Sequence, residues 1–215
     1  MYIKINKTDK KNIFFISDPH FYHDKVIIYD KRPFLDEYGK PDVQAMNEAL
    51  IKNWNSVVGK DDIVFVLGDI VFGGLGKHME ILYRLNGELH AVTGNHDSYK
   101  LLLKTGRFTN ISSKMELYVK TDPSKKGGQL FVLDHFANLI WNKHHRGSIH
   151  LHGHSHGSLM TSPIEYISKH YYKRKVMDVG CNNIDYTPIS FDEVMEIMDK
   201  KGVQAVDHHK GREEK

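Results

Sequence analysis

Five short apolar runs punctuate the chain: Ile13 to Ile16, Ile63 to Leu67, Leu89 to Val92, Leu130 to Leu133 and Ile149 to Leu151. Continuous apolar runs of this length suit buried strands. Between them the pattern turns helical. Pro41-Asp42 opens a stretch that places Val43, Met46, Leu50, Trp54 and Val57 on one face, and Lys77 to Leu85 reads as a shorter helix. Met115 to Val119 and Lys175 to Val179 read as further strands, with Thr121 to Gly128 as an exposed, mobile loop. Ser190-Phe191-Asp192-Glu193 has capping-box spacing for a last helix running to about Lys200. Helices alternating with strands early, and strands clustered later, predict a layered α/β fold.

Each apolar run is followed by residues with donor atoms for a metal: Asp18 and His20, then Asp69, then Asn95 and His96, then His135, then His154 and His156. In sheets covered by helices, ligands collect in the loops beyond the carboxyl ends of the strands. If these strands share one sheet and one rim, the polar residues converge. Carboxylate, amide oxygen and imidazole together suit borderline divalent ions, and the absence of thiolate argues against a structural zinc knot. Asp18, His20, Asp69, Asn95, His135, His154 and His156 are too many for one tetrahedral ion. Two ions sharing a carboxylate use them well, and paired ions roughly 3.5 to 4 Å apart are the usual device for attack on phosphoryl groups.

Taken in order, Asp18-Pro19-His20, Gly68-Asp69, Gly94-Asn95-His96-Asp97, the lone His135 and Gly153-His154-Ser155-His156 resemble the motifs of the calcineurin-like metallophosphoesterases. Arg32-Pro33-Phe34 and the Leu151-to-Gly157 segment are similar to small single-domain bacterial and phage-type members. The resemblance implies a two-sheet sandwich flanked by helices. It also implies two divalent ions, manganese first, with iron, zinc, nickel or magnesium as alternatives. Asp18, His20, Asp69 and His156 would hold one ion and Asp69, Asn95, His135 and His154 the other, with Asp69 as the bridge. A hydroxide held between the ions would attack phosphorus, His96 would protonate the leaving oxygen, and Asp97 would orient the His96 imidazole.

The implied function is a phosphoesterase acting on a phosphodiester or small nucleotide. Gly68-Asp69 is followed by Ile70-Val71-Phe72, not the Asp-Arg-Gly element of the protein phosphatases, and too few residues follow His156 for the capping domain of the break-processing nucleases. A phosphomonoesterase, a single-strand nuclease working with a partner chain, and a non-catalytic binding module are the rival readings. For the monoesterase, Arg32 and Arg146 are the available cations.

Other residues carry open alternatives. His23 reads as a group approaching the substrate, and Arg32 either as a phosphate-binding fork or as an ion pair fixing its turn. His150 and His152 alternate with apolar residues and are expected to share the face of His154, either supporting the ligands or simply buried. His144-His145-Arg146 reads as lining the entrance or as a solvated turn. Trp141, Phe136 and Tyr22 read as core or as stacking platforms. His78, His90 and His170 read as structural.

The chain of 215 residues, 40% hydrophobic, predicts one domain over residues 1–205, with a disordered polar tail over 206–215 whose His208-His209 pair is solvated. Its formal charge of +3 is too slight to imply a nucleic-acid partner, though it excludes none. The only cysteine, Cys181, permits no internal disulfide and reads as packing. No apolar run suggests a signal peptide or a membrane span, so a cytoplasmic protein with no membrane partner is the expectation, its oligomeric state open.

Overall fold

The apolar runs are strands, and they sort into two sheets. In the computed structural model, which describes residues 1–7, 11–122, 124 and 127–204, the chain runs β1 (Tyr2–Asn6), β2 (Ile13–Ile16), α1 (Asp24–Tyr29), α2 (Val43–Val57), β3 (Ile63–Val66), α3 (Leu75–Leu82) and β4 (Glu88–Val92). It continues through α4 (Tyr99–Lys104), β5 (Phe108–Ser112), β6 (Lys114–Lys120), β7 (Gln129–Asp134), β8 (Ile149–His152), α5 (Glu165–Lys169), β9 (Val176–Asp178), β10 (Ile189–Ser190) and α6 (Phe191–Asp199). The expected tail over 206–215 and part of the expected loop after Thr121 lie outside the described residues.

One sheet has the order β10-β2-β3-β4-β5, parallel except for β10, and the other the order β1-β6-β7-β8-β9, antiparallel only between β6 and β7. The strands that precede the candidate ligands therefore do not share one sheet. β2, β3 and β4 lie in the first, β7 and β8 in the second. The pleat explains how one core serves both: Ile13, Phe15, Ile63 and Phe65 face Leu117, Phe131, Leu133 and Leu151 across the interlayer space. Phe15 stacks on Phe65 at 5.9 Å within its sheet and on Phe131 at 5.4 Å across the gap.

The alternate residues of the first sheet, Phe14, Ile16, Val64, Val66 and Ala91, pack under α2 and α3. Asp42 caps α2 by accepting from Ala45 N at 2.8 Å. Met46, Leu50, Ile51 and Trp54 are its buried face; Val57, the last residue of the helix, is 40% exposed. The expected capping box at Ser190 and Glu193 forms at the start of α6. The elements that the sequence pattern does not announce include α1 and α4, each 6 residues long, and β1, an edge strand with only alternate residues half-buried.

The outer face of the second sheet corrects one expectation. His150 and His152 do not share the side of His154. Both point with Val132 and Val176 to the outer face, beneath Trp141, Tyr171 and Tyr172, while Ile149 and Leu151 point inward. His150 Nδ1 bonds Val132 O at 2.9 Å and Nε2 accepts from Asn138 N at 3.0 Å. Burial pushes its pKa down to about 3, so it is a neutral core residue. His78 and His90 are likewise buried and bonded within the fold, and His170 packs on Tyr166.

Candidate metal centre

The two sheets meet at the rim where β2 and β9 end. Ser17 bridges Gly180, Ser17 N donates to Val179 O at 2.8 Å, and Gly153 N donates to His135 O at 3.0 Å. With Asp18 N donating to Gly68 O at 3.0 Å and His96 N to Asp69 Oδ1 at 3.0 Å, these links bring the loops after β2, β3, β4, β7 and β8 together. The close approach needs missing side chains: a Cβ on Gly153 would collide with Ser17 Oγ and Asp18 Oδ2, and one on Gly94 would collide with Asp69 Oδ1.

At that point the backbone is held in an uncommon conformation. Asp18, His20, Asp69, His154 and His156 have φ of 56°, 52°, 53°, 64° and 45°. Left-handed backbone at non-glycine residues costs of order 1–3 kcal/mol each and collects at functional sites. The loop contacts sustain it, as when His154 N donates to Asp18 Oδ2 at 2.8 Å.

Two groups of donors result, Asp18 with His20 and His156, and Asp18 with Asp69 and His135. His20 Nε2 and His156 Nε2 face each other at 3.1 Å, and Asp18 Oδ1 lies 3.7 and 3.4 Å from them. Asp69 Oδ2 stands between His20 Nε2 at 3.8 Å and His135 Nε2 at 3.6 Å. Asn95 Oδ1 joins at 3.0 Å from His135 Nε2. His154 flanks the cluster, its ring 5.2 Å from that of His135 and outside both donor groups.

The hydrogen bonds behind the imidazoles fix which nitrogen looks inward. His135 Nδ1 donates to Leu67 O at 2.8 Å and His156 Nδ1 donates to Asp30 Oδ2 at 2.7 Å, so each turns its Nε2 to the centre, where it offers a lone pair once it carries no proton. A lone pair facing carboxylate and amide oxygens is repulsive unless positive charge sits between them. Asp18 Oδ1, buried with no hydrogen-bond partner among the described residues, makes the same demand. Electrostatics agree. Burial opposes a charged His156, yet Asp18 and Asp30 raise its pKa to about 10, so without a cation a proton on Nε2 supplies the positive charge that a metal ion would supply by displacing it. Burial, with Asp18 and Asp97 nearby, raises that of Asp69. Buried Asp and His groups here fit a divalent cation in donor type and in orientation.

One expectation changes and two open alternatives are decided. Asp97 does not orient His96. Its Oδ2 accepts from Asp69 N and Gly94 N, both at 2.8 Å, and its Oδ1 from Ile70 N at 3.0 Å, so it clamps the two loops that carry Asp69 and Asn95. Arg32 is not a phosphate fork. Its side chain is fully buried, donating to Pro19 O at 2.9 Å, Asp18 O at 3.0 Å and Asp30 Oδ2 at 3.3 Å. Of its two readings, the ion pair holds, extended to the backbone of the first ligand loop. His144-His145-Arg146 precedes β8, the opposite end from the ligands, so it does not line the site.

His96 is exposed, its ring 5.1 Å from Phe72 and 6.2 Å from His20, and its backbone N donates to Asp69 Oδ1 at 3.0 Å. His23 caps α1, Nδ1 accepting from Val26 N at 2.8 Å, which puts its proton on Nε2; the ring lies 5.5 Å from His20. Phe136 is 47% exposed and packs against His135 and His154 at 5.1 and 4.5 Å. Trp141 is buried, and Tyr22 bonds Glu80 through its hydroxyl at 2.5 Å. Cys181 is buried, its thiol donating to Asp18 O at 3.1 Å, and burial pushes its pKa up to about 12.

Sequence reasoning missed Asp30. Lying 126 positions from His156, it has no motif to announce it. The clamp at Asp97 is testable. Its three backbone donors are hydrogen bonds to a charged acceptor, each worth about 1.5–3 kcal/mol. Asp97→Ala is expected to lower the melting temperature by roughly 9 °C or more, since about 1 kcal/mol shifts a domain of this size by 2–4 °C. It is also expected to reduce bound metal in elemental analysis. An unchanged melt with a shifted pH–rate profile would restore the orienting role.

Among the described residues no helix is long and apolar enough to cross a membrane. No protein-family model matches the chain. The protein AQ665 of Aquifex aeolicus, of unknown function, shares the fold, with a TM-score of 0.61 and 22% identity over 87% of this chain and 99% of its own. The gene 66 protein of Mycobacterium phage D29 is 31% identical over 176 residues, 71% of this chain and 84% of its own. The uncharacterized protein MJ1445 of Methanocaldococcus jannaschii is 32% identical over 192 residues, 88% of this chain and 93% of its own. At that identity and coverage, this chain belongs to the family of MJ1445.

Proposed function

We propose that the protein is a phosphoesterase dependent on two divalent metal ions, of the calcineurin-like kind, acting on a phosphodiester or small nucleotide. The observation that carries this is the inward-facing set of Asp18, His20 and His156 beside Asp69 and His135, with Asp69 Oδ2 between the two imidazoles. Asp18, His20, Asp69 and His156 would hold one ion and Asp69, Asn95, His135 and His154 the other. When bound, such ions acidify water and draw electron density from phosphoryl oxygens.

The chain's own residues do the rest. Asp30 and the Leu67 carbonyl hold His156 and His135 in the tautomer that faces the centre. The proton on His23 Nε2 suits a phosphoryl oxygen. His96, exposed and tied through its backbone to Asp69, supplies a proton to the departing oxygen. The monoester reading has lost support, because Arg32 is spent on Asp18 and Pro19 and Arg146 stands at the far end of β8. No cation is thereby left from the sequence reading to meet the third phosphate oxygen.

The test is to supply manganese to the metal-free protein and follow nitrophenolate release from bis-nitrophenyl phosphate and from nitrophenyl phosphate. Metal-dependent release, faster from the diester, is expected. No release from either ester, with both ions shown bound by elemental analysis, overturns the proposal.

A further inference from the structure

The loops that carry His135 and His156 run on into an apolar cavity. Ala137, two residues past His135, and Leu159, three past His156, line it together with Leu139, Ile164, Tyr166 and Tyr171, around a volume of about 350 Å³. Phe136 joins it to the metal centre: the ring packs on His135 and His154, and the next residue is already in the cavity wall. The apolar surface continues outward through Leu139, Met160 and Ile164, which are 51%, 44% and 60% exposed. Apolar side chains left in contact with water next to a polar centre mark a place where a ligand supplies the missing contacts.

We infer that this cavity receives an aliphatic ester group of the substrate, so that the substrate is an amphipathic phosphodiester. The inference rests on the phosphoesterase reading and narrows its substrate class. The walls argue against a nucleobase, whose edge presents several donors and acceptors at once. Among the cavity-lining residues the one unmatched polar atom is Tyr166 Oη, buried without a hydrogen-bond partner. A base seated here would leave its remaining polar atoms unpaired, whereas an alkyl chain leaves none.

The experiment uses two readouts on the manganese-supplied protein. In the first, nitrophenyl phosphodiesters whose second ester is methyl, butyl, octyl or thymidine are compared by kcat/KM. In the second, binding of methyl phosphate and of octyl phosphate, below its micelle concentration, is measured by calorimetry. Each buried methylene tightens association by up to about fourfold, so the octyl compounds are expected to exceed the methyl ones by at least about tenfold in both readouts. Ile164→Asp puts a charge at the cavity wall on an exposed position and should bring the octyl-to-methyl ratio close to one; Tyr166→Phe should keep or widen it. Octyl binding that depends on Ile164 in a protein that turns over no ester would leave the cavity assigned and overturn the phosphoesterase reading. Turnover without chain-length dependence, or a preference for the thymidine ester, would overturn the cavity assignment and leave the enzyme.

Discussion

Asp69→Asn is expected to empty the metal centre while leaving the fold intact. Asparagine tolerates the left-handed backbone that Asp69 adopts at φ 53°, and its amide oxygen can still accept from His96 N. What it removes is the charge on Oδ2, the atom that stands between His20 and His135. Replacing a group that merely supports a ligand costs 10–100-fold in affinity or activity, so if Asp69 is shared by two ions as proposed, its loss should cost more than about a hundredfold in turnover. Elemental analysis should find less metal in both positions. Burial raises the pKa of Asp69, so the metal-free variant, relieved of a buried charge, should melt no lower than the metal-free parent. Two ions bound with normal turnover would end the bridging assignment.

His96→Ala should separate proton donation from metal binding. The side chain is exposed and belongs to neither donor group, so metal content and melting temperature should stay as they are. If His96 protonates the departing oxygen, its loss should cost about a hundredfold or more on an alkyl leaving group and little on nitrophenolate, which departs readily without a proton. Comparing kcat for a bis-nitrophenyl diester with that for a diester whose leaving groups are both alkyl gives the answer. Equal losses would make His96 a group that positions phosphate or water, and loss of metal would make it a ligand.

The corrected expectations and the alternatives left open share a cause. His96 and Asp97 are neighbours in sequence, and adjacency suggested a dyad. In the fold the Asp97 carboxylate turns away and takes the amides of Asp69, Ile70 and Gly94, because a tight loop between two strand ends leaves those donors buried and unpaired. Arg32 looked equally suited to a phosphate or to a turn. Only packing against Pro19 and Asp18 chose between them. The alternation of His150 and His152 was legible, but their side was not, because the chain swings at Gly153 and His154 leaves the strand face.

By itself the sequence determined which segments are buried strands, where α2 and α6 begin, and that β2, β3, β4, β7 and β8 are each followed by an acid, amide or imidazole. Those are local properties, set by periodicity, capping chemistry and the order of residues along a few turns of chain. The tertiary structure decided that the strands divide between two sheets, that their ends meet where Ser17 bridges Gly180, and that Asp30 stands behind His156. The reason is range. A hydrogen bond between groups more than a hundred residues apart exists only once the sheets have packed, and no local pattern carries its partner's name.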